Sequence, residues 1–167
     1  YLYMDLIEQL PEEKIHLAGV SLGGWIAAEI AIRNSTKLKS LTLIDALGIK
    51  VSDKYVSDIQ DFLTMPLEES LRAVYADRSI AAQRVKDAEE LEDQQILDTL
   101  SHYRAITQYA WKPFLHNPKL KSRLRRIKIP TLVLWGEGDQ IVRPEYGEEF
   151  AKAIPRARFE KIPNAGH

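Results

Sequence analysis

Ile15-His-Leu-Ala-Gly-Val-Ser-Leu-Gly-Gly-Trp-Ile-Ala-Ala-Glu-Ile-Ala-Ile-Arg33 is the most informative run in this chain. Its first six residues form an apolar stretch of strand length, and Leu22 to Arg33 continues with an Ala- and Ile-rich helical pattern. No loop residues separate the two, so strand, tight turn and helix follow one another directly. Gly19-Val-Ser-Leu-Gly23 sits at the junction. A G-x-S-x-G pattern is too short to mean much by itself, but here its context fits. The turn is sharp, glycine two residues either side of Ser21 lets strand and helix backbones approach, and the hydroxyl is pushed out at the carboxyl end of the strand. The helix then points its N-terminal amides and positive dipole end at that spot, with the Leu22 amide placed to stabilise an oxyanion. Taken alone, the same residues also describe a Gly-Ser turn that caps a helix.

Outward from this run, the pattern repeats. Leu41-Thr-Leu-Ile44, ending at Asp45, reads as a second buried strand, Thr131-Leu-Val-Leu-Trp135 as a third and Arg158-Phe-Glu-Lys-Ile162 as a weaker fourth. Pro144 to Ile154 reads as a helix between the last two, with Pro144 suited to a first turn. Near-continuous apolar strands alternating with helices imply an α/β fold, a mostly parallel sheet with helices on both faces. Leu2, Leu6, Ile7 and Leu10 fall at helical spacing up to Pro11, so the sequence opens inside an amphipathic helix, and it stops at His167 directly after the turn-forming Asn164-Ala-Gly166. The expectation is a piece of a longer protein.

Residues 50–118 break the alternation. Helical patterns recur over Ile59 to Leu63, Leu67 to Tyr75 and Ile80 to Leu100, acids outnumber bases, and no strand is convincing, so this segment reads as a helical cap with a solvated outer face. It divides the chain into a core part at 1–49 with the serine turn, the insert at 50–118, and a core part at 119–167. Lys119, Lys121, Arg123, Arg125, Arg126 and Lys128 form a basic run, but Leu120, Leu124 and Ile127 interleave at helical spacing, which favours the exposed face of a short helix over a nucleic-acid patch.

Composition narrows the function. With 23 Lys+Arg against 24 Asp+Glu and a formal net charge of −1, no global field would draw in nucleic acid or an anionic membrane. No apolar run is long enough to cross a bilayer and no signal peptide is visible, so a soluble, cytoplasmic protein is expected. The chain has no Cys, which removes disulfides, thiolate metal sites and cysteine nucleophiles, and leaves four His for any imidazole chemistry. No phosphate-binding glycine pattern, His-x-x-x-His pair or carboxylate cluster argues for a nucleotide or metal, so no cofactor is expected.

A serine hydroxyl is a poor nucleophile near neutral pH and needs an imidazole base oriented by a carboxylate. Trp135-Gly-Glu-Gly-Asp139 lies just beyond the third strand, where turn glycines place Asp139 at the same sheet edge as Ser21. His167 follows the fourth strand and falls there too. The chain order Ser21, Asp139, His167 is that of one fold family.

At this point the sequence resembles the α/β-hydrolase superfamily, in its lid-bearing subgroup of esterases, carbon–carbon bond hydrolases and related enzymes. Gly19-Val-Ser-Leu-Gly23 is similar to the nucleophile elbow, Ile129-Pro-Thr-Leu-Val-Leu-Trp-Gly-Glu-Gly-Asp139 to the strand and loop bearing the acid, and Pro163-Asn-Ala-Gly-His167 to the loop bearing the histidine. The resemblance implies Ser21 as nucleophile, Asp139 as acid, His167 as base, and a cap that shapes the substrate pocket. It also exposes departures: the several strands, His-Gly type oxyanion loop and closing helix of the family are missing. The second oxyanion donor is therefore unassigned, and the 167-residue piece is expected to be a poor catalyst alone.

The other candidates have plainer readings. Asp45 stands where some superfamily members carry the acid, and ranks behind Asp139. His16 reads as a packed or hydrogen-bonded strand side chain, His102 and His116 as surface residues of the insert with pocket lining as the alternative, Trp25 as core, Trp111 as cap packing or pocket lining, and Glu137 as a loop residue. The expected activity is a serine hydrolase acting through an acyl-enzyme on a small-molecule ester or related carbonyl substrate. Serine rather than aspartate at the elbow argues against epoxide hydrolase or haloalkane dehalogenase chemistry. Carbon–carbon bond hydrolysis and a non-catalytic small-molecule binding protein of the same fold are the alternatives, and oligomeric state stays open.

Overall fold

The computed structural model describes residues 2–167. Helix α1 (Leu2–Gln9) leads into strand β1 (Ile15–Val20), helix α2 (Leu22–Arg33) and strand β2 (Leu38–Ile44). Helices α3 (Leu67–Val74), α4 (Arg78–Glu89) and α5 (Asp93–Ala110) follow, and the chain returns through α6 (Leu120–Arg123), a 3-10 turn at Leu124–Arg126, β3 (Thr131–Gly136), α7 (Pro144–Ala153) and β4 (Ala157–Ile162). The four strands form one parallel sheet in the order β1-β2-β3-β4.

That order decides where the helices lie. Gly19, Leu43, Val133 and Phe159 are aligned across the sheet and share one face. A Cβ on Gly19 would strike the Gly23 backbone of α2, and one on Gly147 of α7 would strike Trp135 and Phe159, so both helices cover that same face. Right-handed crossovers that advance steadily across a sheet stack their helices on one side, and only a reversal of strand order populates the other. The expectation of helices on both faces is therefore met on one face among the described residues. The opposite face leaves His16, Ala18 and Val20 of β1 and Arg158, Glu160 and Ile162 of β4 exposed.

The core fills the covered face. Leu41, Leu43, Val133 and Trp135 pack under Ala27, Ala28 and Ala31 of α2 and Tyr146 and Phe150 of α7. Burying each large apolar side chain stabilises the fold by about 1.5–3 kcal/mol. Leu120, Leu124 and Ile127 are fully buried in the same cluster, so the basic run is the outer face of a short helical segment, as its spacing predicts. Small residues on α2 let the helix lie close to the strands. A Cβ on Gly24 would sit 2.5 Å from that of Ala46.

In the segment between β2 and α6, α3 and α4 pack together while α5 exposes Ile96, Leu97 and Leu100. Two local expectations fail. Ile59 to Leu63 is turn rather than helix, because the Gln60 amide is taken by the carbonyl of Ile141, and Lys50 and the amides of Val51 and Ser52 fold that stretch around the Asp58 carboxylate. Ile80 to Leu100 is two helices, broken near Glu90 and restarted where Gln95 Oε1 accepts the Glu92 amide. The segment leaves and rejoins the core side by side. Gly48 and His116 form an isolated parallel bridge, and the Asn117 amide donates to the Gly48 carbonyl.

Candidate active site

Three connections that leave the carboxyl ends of strands carry the site. Ser21 joins β1 to α2 with φ 51° and ψ −120°, a left-handed backbone that costs a non-glycine residue about 1–3 kcal/mol. The strain is held in place by the Ser21 amide on the Ile44 carbonyl and by the Ser21 carbonyl, which accepts from the amides of Trp25 and Leu47. Gly19 has the close approach expected of it, with its Cβ position 2.3 Å from the Gly23 carbonyl oxygen. Gly23 does not. Its own Cβ would point into open space, and Gly24 is the helical glycine with no room.

Ser21 occupies the N-cap seat of α2, yet its side chain makes no capping bond. The hydroxyl instead lies 2.8 Å from Nε2 of His167. Across the ring, Nδ1 of His167 lies 2.8 Å from Oδ2 of Asp139. A carboxylate only accepts, so Nδ1 carries the proton, leaving Nε2 to accept from the serine. The simple capping role left open by the sequence is thus not what the side chain does.

Asp139 is fully buried and held on both oxygens: Oδ1 accepts the amides of Ile141 and Val142 while Oδ2 faces the imidazole. The histidine loop is equally constrained. The amide of Gly138 donates to the Ala165 carbonyl, a Cβ on Gly136 would lie 2.1 Å from the Gly166 carbonyl oxygen, and the His167 amide donates to the carbonyl of Val74 at the end of α3. Leu22, the first residue of α2, is half-buried beside Ser21. It also lines an apolar cavity of about 510 Å³ with Trp25, Ile26, Ile106 and Tyr109.

The remaining candidates fall outside this chain of hydrogen bonds. Asp45, buried and also left-handed at φ 44°, accepts the Gly136 amide on Oδ1 and does not bond to the imidazole. Its carboxyl is pushed up by burial, opposed by the Gly136 bond and reinforced by the Asp139 charge. His16 lies 2.6 Å from the Ser40 hydroxyl, His102 is exposed on α5, and His116 bonds the Phe114 carbonyl. Trp25 is half-buried, packed against the edge of the core and against Gly48, Trp111 stacks edge-on to Phe114 and is half exposed, and Glu137 is exposed.

Two contributors escaped sequence reasoning. The Val74 carbonyl is a backbone group in an unremarkable helix and leaves no sequence signal. The bond from Asp45 to Gly136 joins residues 91 positions apart, although an acid directly after a buried strand was the available hint.

Comparison with known proteins bears on the fold that carries this site. A family model described as alpha/beta hydrolase fold matches residues 1–167. Lipase 1 of Psychrobacter immobilis is 28% identical, the alignment covering 92% of this chain and 50% of that protein. A 2-hydroxy-6-oxononadienedioate/2-hydroxy-6-oxononatrienedioate hydrolase of Cupriavidus pinatubonensis is 29% identical over 97% of this chain and 58% of its own length. Among solved structures, a meta-cleavage product hydrolase from Pseudomonas fluorescens superposes with a TM-score of 0.73 at 19% identity, covering 99% of this chain and 62% of that one, a likeness of fold. The chain spans about half the length of several curated relatives that it matches. Among the described residues no helix is long and apolar enough to cross a membrane.

Proposed function

The chain belongs to the alpha/beta hydrolase fold family, and on that premise we propose that it carries the nucleophile, acid and base of a serine hydrolase acting through an acyl-enzyme on a small ester or related carbonyl compound. One observation supports this above all: the unbroken relay from Ser21 Oγ to His167 Nε2 and from His167 Nδ1 to Asp139 Oδ2, both contacts at 2.8 Å. Ser21 Oγ bonds to the substrate carbonyl carbon as its proton passes to Nε2. The imidazolium, steadied by Asp139, gives that proton to the leaving oxygen as its bond to carbon breaks. Water then loses a proton to Nε2, attacks the acyl carbon, and releases the acid and the Ser21 hydroxyl. The Leu22 amide, at the positive end of α2, shares the oxyanion charge, and losing such a donor typically costs ~3 kcal/mol. These steps call for no cofactor.

A second reading, hydrolysis of a carbon–carbon bond next to a ketone by the same residues, is favoured by the Cupriavidus relative. The test has two stages. A fluorophosphonate should label the chain, and Ser21→Ala should abolish labelling and turnover. Unlabelled chain without turnover would overturn the reading and leave a small-molecule binder of the same fold, and Ser21→Ala with unchanged turnover would overturn it by assigning the chemistry to another residue. A p-nitrophenyl ester and a 2-hydroxy-6-oxodienoate then separate the two hydrolytic readings.

A further inference from the structure

Asp45 is the buried carboxyl that the steps above do not use, and it lies within the site. Strand β3 runs two residues past its pairing with β2, which ends at Ile44 and Leu134, so the Gly136 amide has no strand partner on that side. Asp45 Oδ1 takes it at 2.8 Å. Gly136 is the pivot of both neighbouring loops. Its carbonyl accepts the Asp139 amide, and the Ala165-Gly166 backbone lies directly against its Cα, in space that a Cβ would fill. The left-handed backbone at Asp45 turns the chain off the end of the strand, and its amide remains bonded to the Leu134 carbonyl.

Resting on the hydrolase reading, we propose that Asp45 is a positioning residue: its carboxylate anchors the Gly136 amide, setting the loop that carries Asp139, and adds a second negative charge to the site. The charged groups that act on it are Asp139, from the loop after β3, and His167, from the loop after β4. Attraction to His167 favours the imidazolium that forms during proton transfer, whereas repulsion from Asp139 is offset by the Gly136 bond. Asparagine at position 45 would keep an oxygen for Gly136 and lose the charge, and alanine would lose both, so the two variants separate anchor from charge.

The experiment reads both. In Asp45→Ala the low-field proton resonance of the His167–Asp139 bond is expected to broaden away and kcat to fall about tenfold or more with a smaller change in KM. Asp45→Asn should restore the resonance and most of kcat. It should nevertheless shift the acid limb of the kcat/KM profile toward lower pH by about one unit, because removing a nearby negative charge disfavours the protonated imidazole. A purely structural role would lower folded protein without moving that limb. The resonance persisting in Asp45→Ala, or Asp45→Asn giving the parental pH profile, would overturn the proposal. The resonance is measured without turnover, so absent hydrolysis counts against the hydrolase reading while Asp45 is still judged.

Discussion

The His167 amide donates to the carbonyl of Val74 over 2.8 Å, tying the proposed base to the last turn of α3. The histidine loop is thereby gripped from two sides, by the Gly138 to Ala165 bond at the sheet and by α3. Gly166 lies inside that grip, with its Cβ position 1.9 Å from the Val74 oxygen. Gly166→Ala is expected to push the loop away from Ser21 and lower kcat on the order of 100-fold, since misplacing a catalytic group by about 1 Å is enough for that. Comparing fluorophosphonate labelling rates of the two proteins, each confirmed folded by circular dichroism, checks it.

Asp139→Asn should separate geometry from tautomer. Oδ1 can still accept from Ile141 and Val142, but an amide nitrogen facing Nδ1 donates and reverses the imidazole. A loss of roughly 10⁴ in kcat is expected, because the wrong imidazole tautomer cannot accept the serine proton. Steady-state kinetics on an activated ester decides between this and the small effect of a remote acid.

The two outer glycines of the G-x-S-x-G run should behave oppositely. Gly19→Ala forces a methyl group into the α2 backbone and should destabilise the fold by about 1–3 kcal/mol. Gly23→Ala meets nothing within 4 Å and gains helix propensity, so its stability should be equal or up to ~1 kcal/mol higher. Urea unfolding of the two variants measures the contrast, and equal losses would contradict it.

Glu149 links Lys121 and Lys152, and hydrogen bonds from those two ammonium groups hold its carboxyl down to about 2 against an ordinary 4.5. A carboxyl lowered on folding stabilises the protein above its unfolded value and loses that contribution as pH falls toward the folded one. Glu149→Gln should therefore cost about 0.5 kcal/mol near pH 7, the pair being partly solvent-screened, with the difference closing between about pH 4.5 and 2. Thermal melts of both proteins across that range test the sign.

What the sequence made legible was local. The passage from β1 through Ser21 to α2 depends on contiguous residues, and its apolar run, turn glycines and helical period all point one way. Asp139 and His167 were legible because each sits just past a recognisable strand, so a common sheet edge followed from parallel pairing. Segments decided by distant partners were less readable. Ile59 to Leu63 has helical spacing, yet Ile141 claims its backbone. One local feature was also hidden: the contact between Glu92 and Gln95 that restarts the helix as α5 is masked by apolar spacing that runs on regardless. The one-sided cover of the sheet depends on strand order, which no stretch of sequence states.

With its hydroxyl turned toward His167, Ser21 leaves the opening turn of α2 uncapped by any side chain. That turn is an electropositive seat awaiting an anion. A boronic acid, which becomes tetrahedral and negatively charged on bonding to Ser21, should accordingly outcompete an uncharged ketone inhibitor of matching shape.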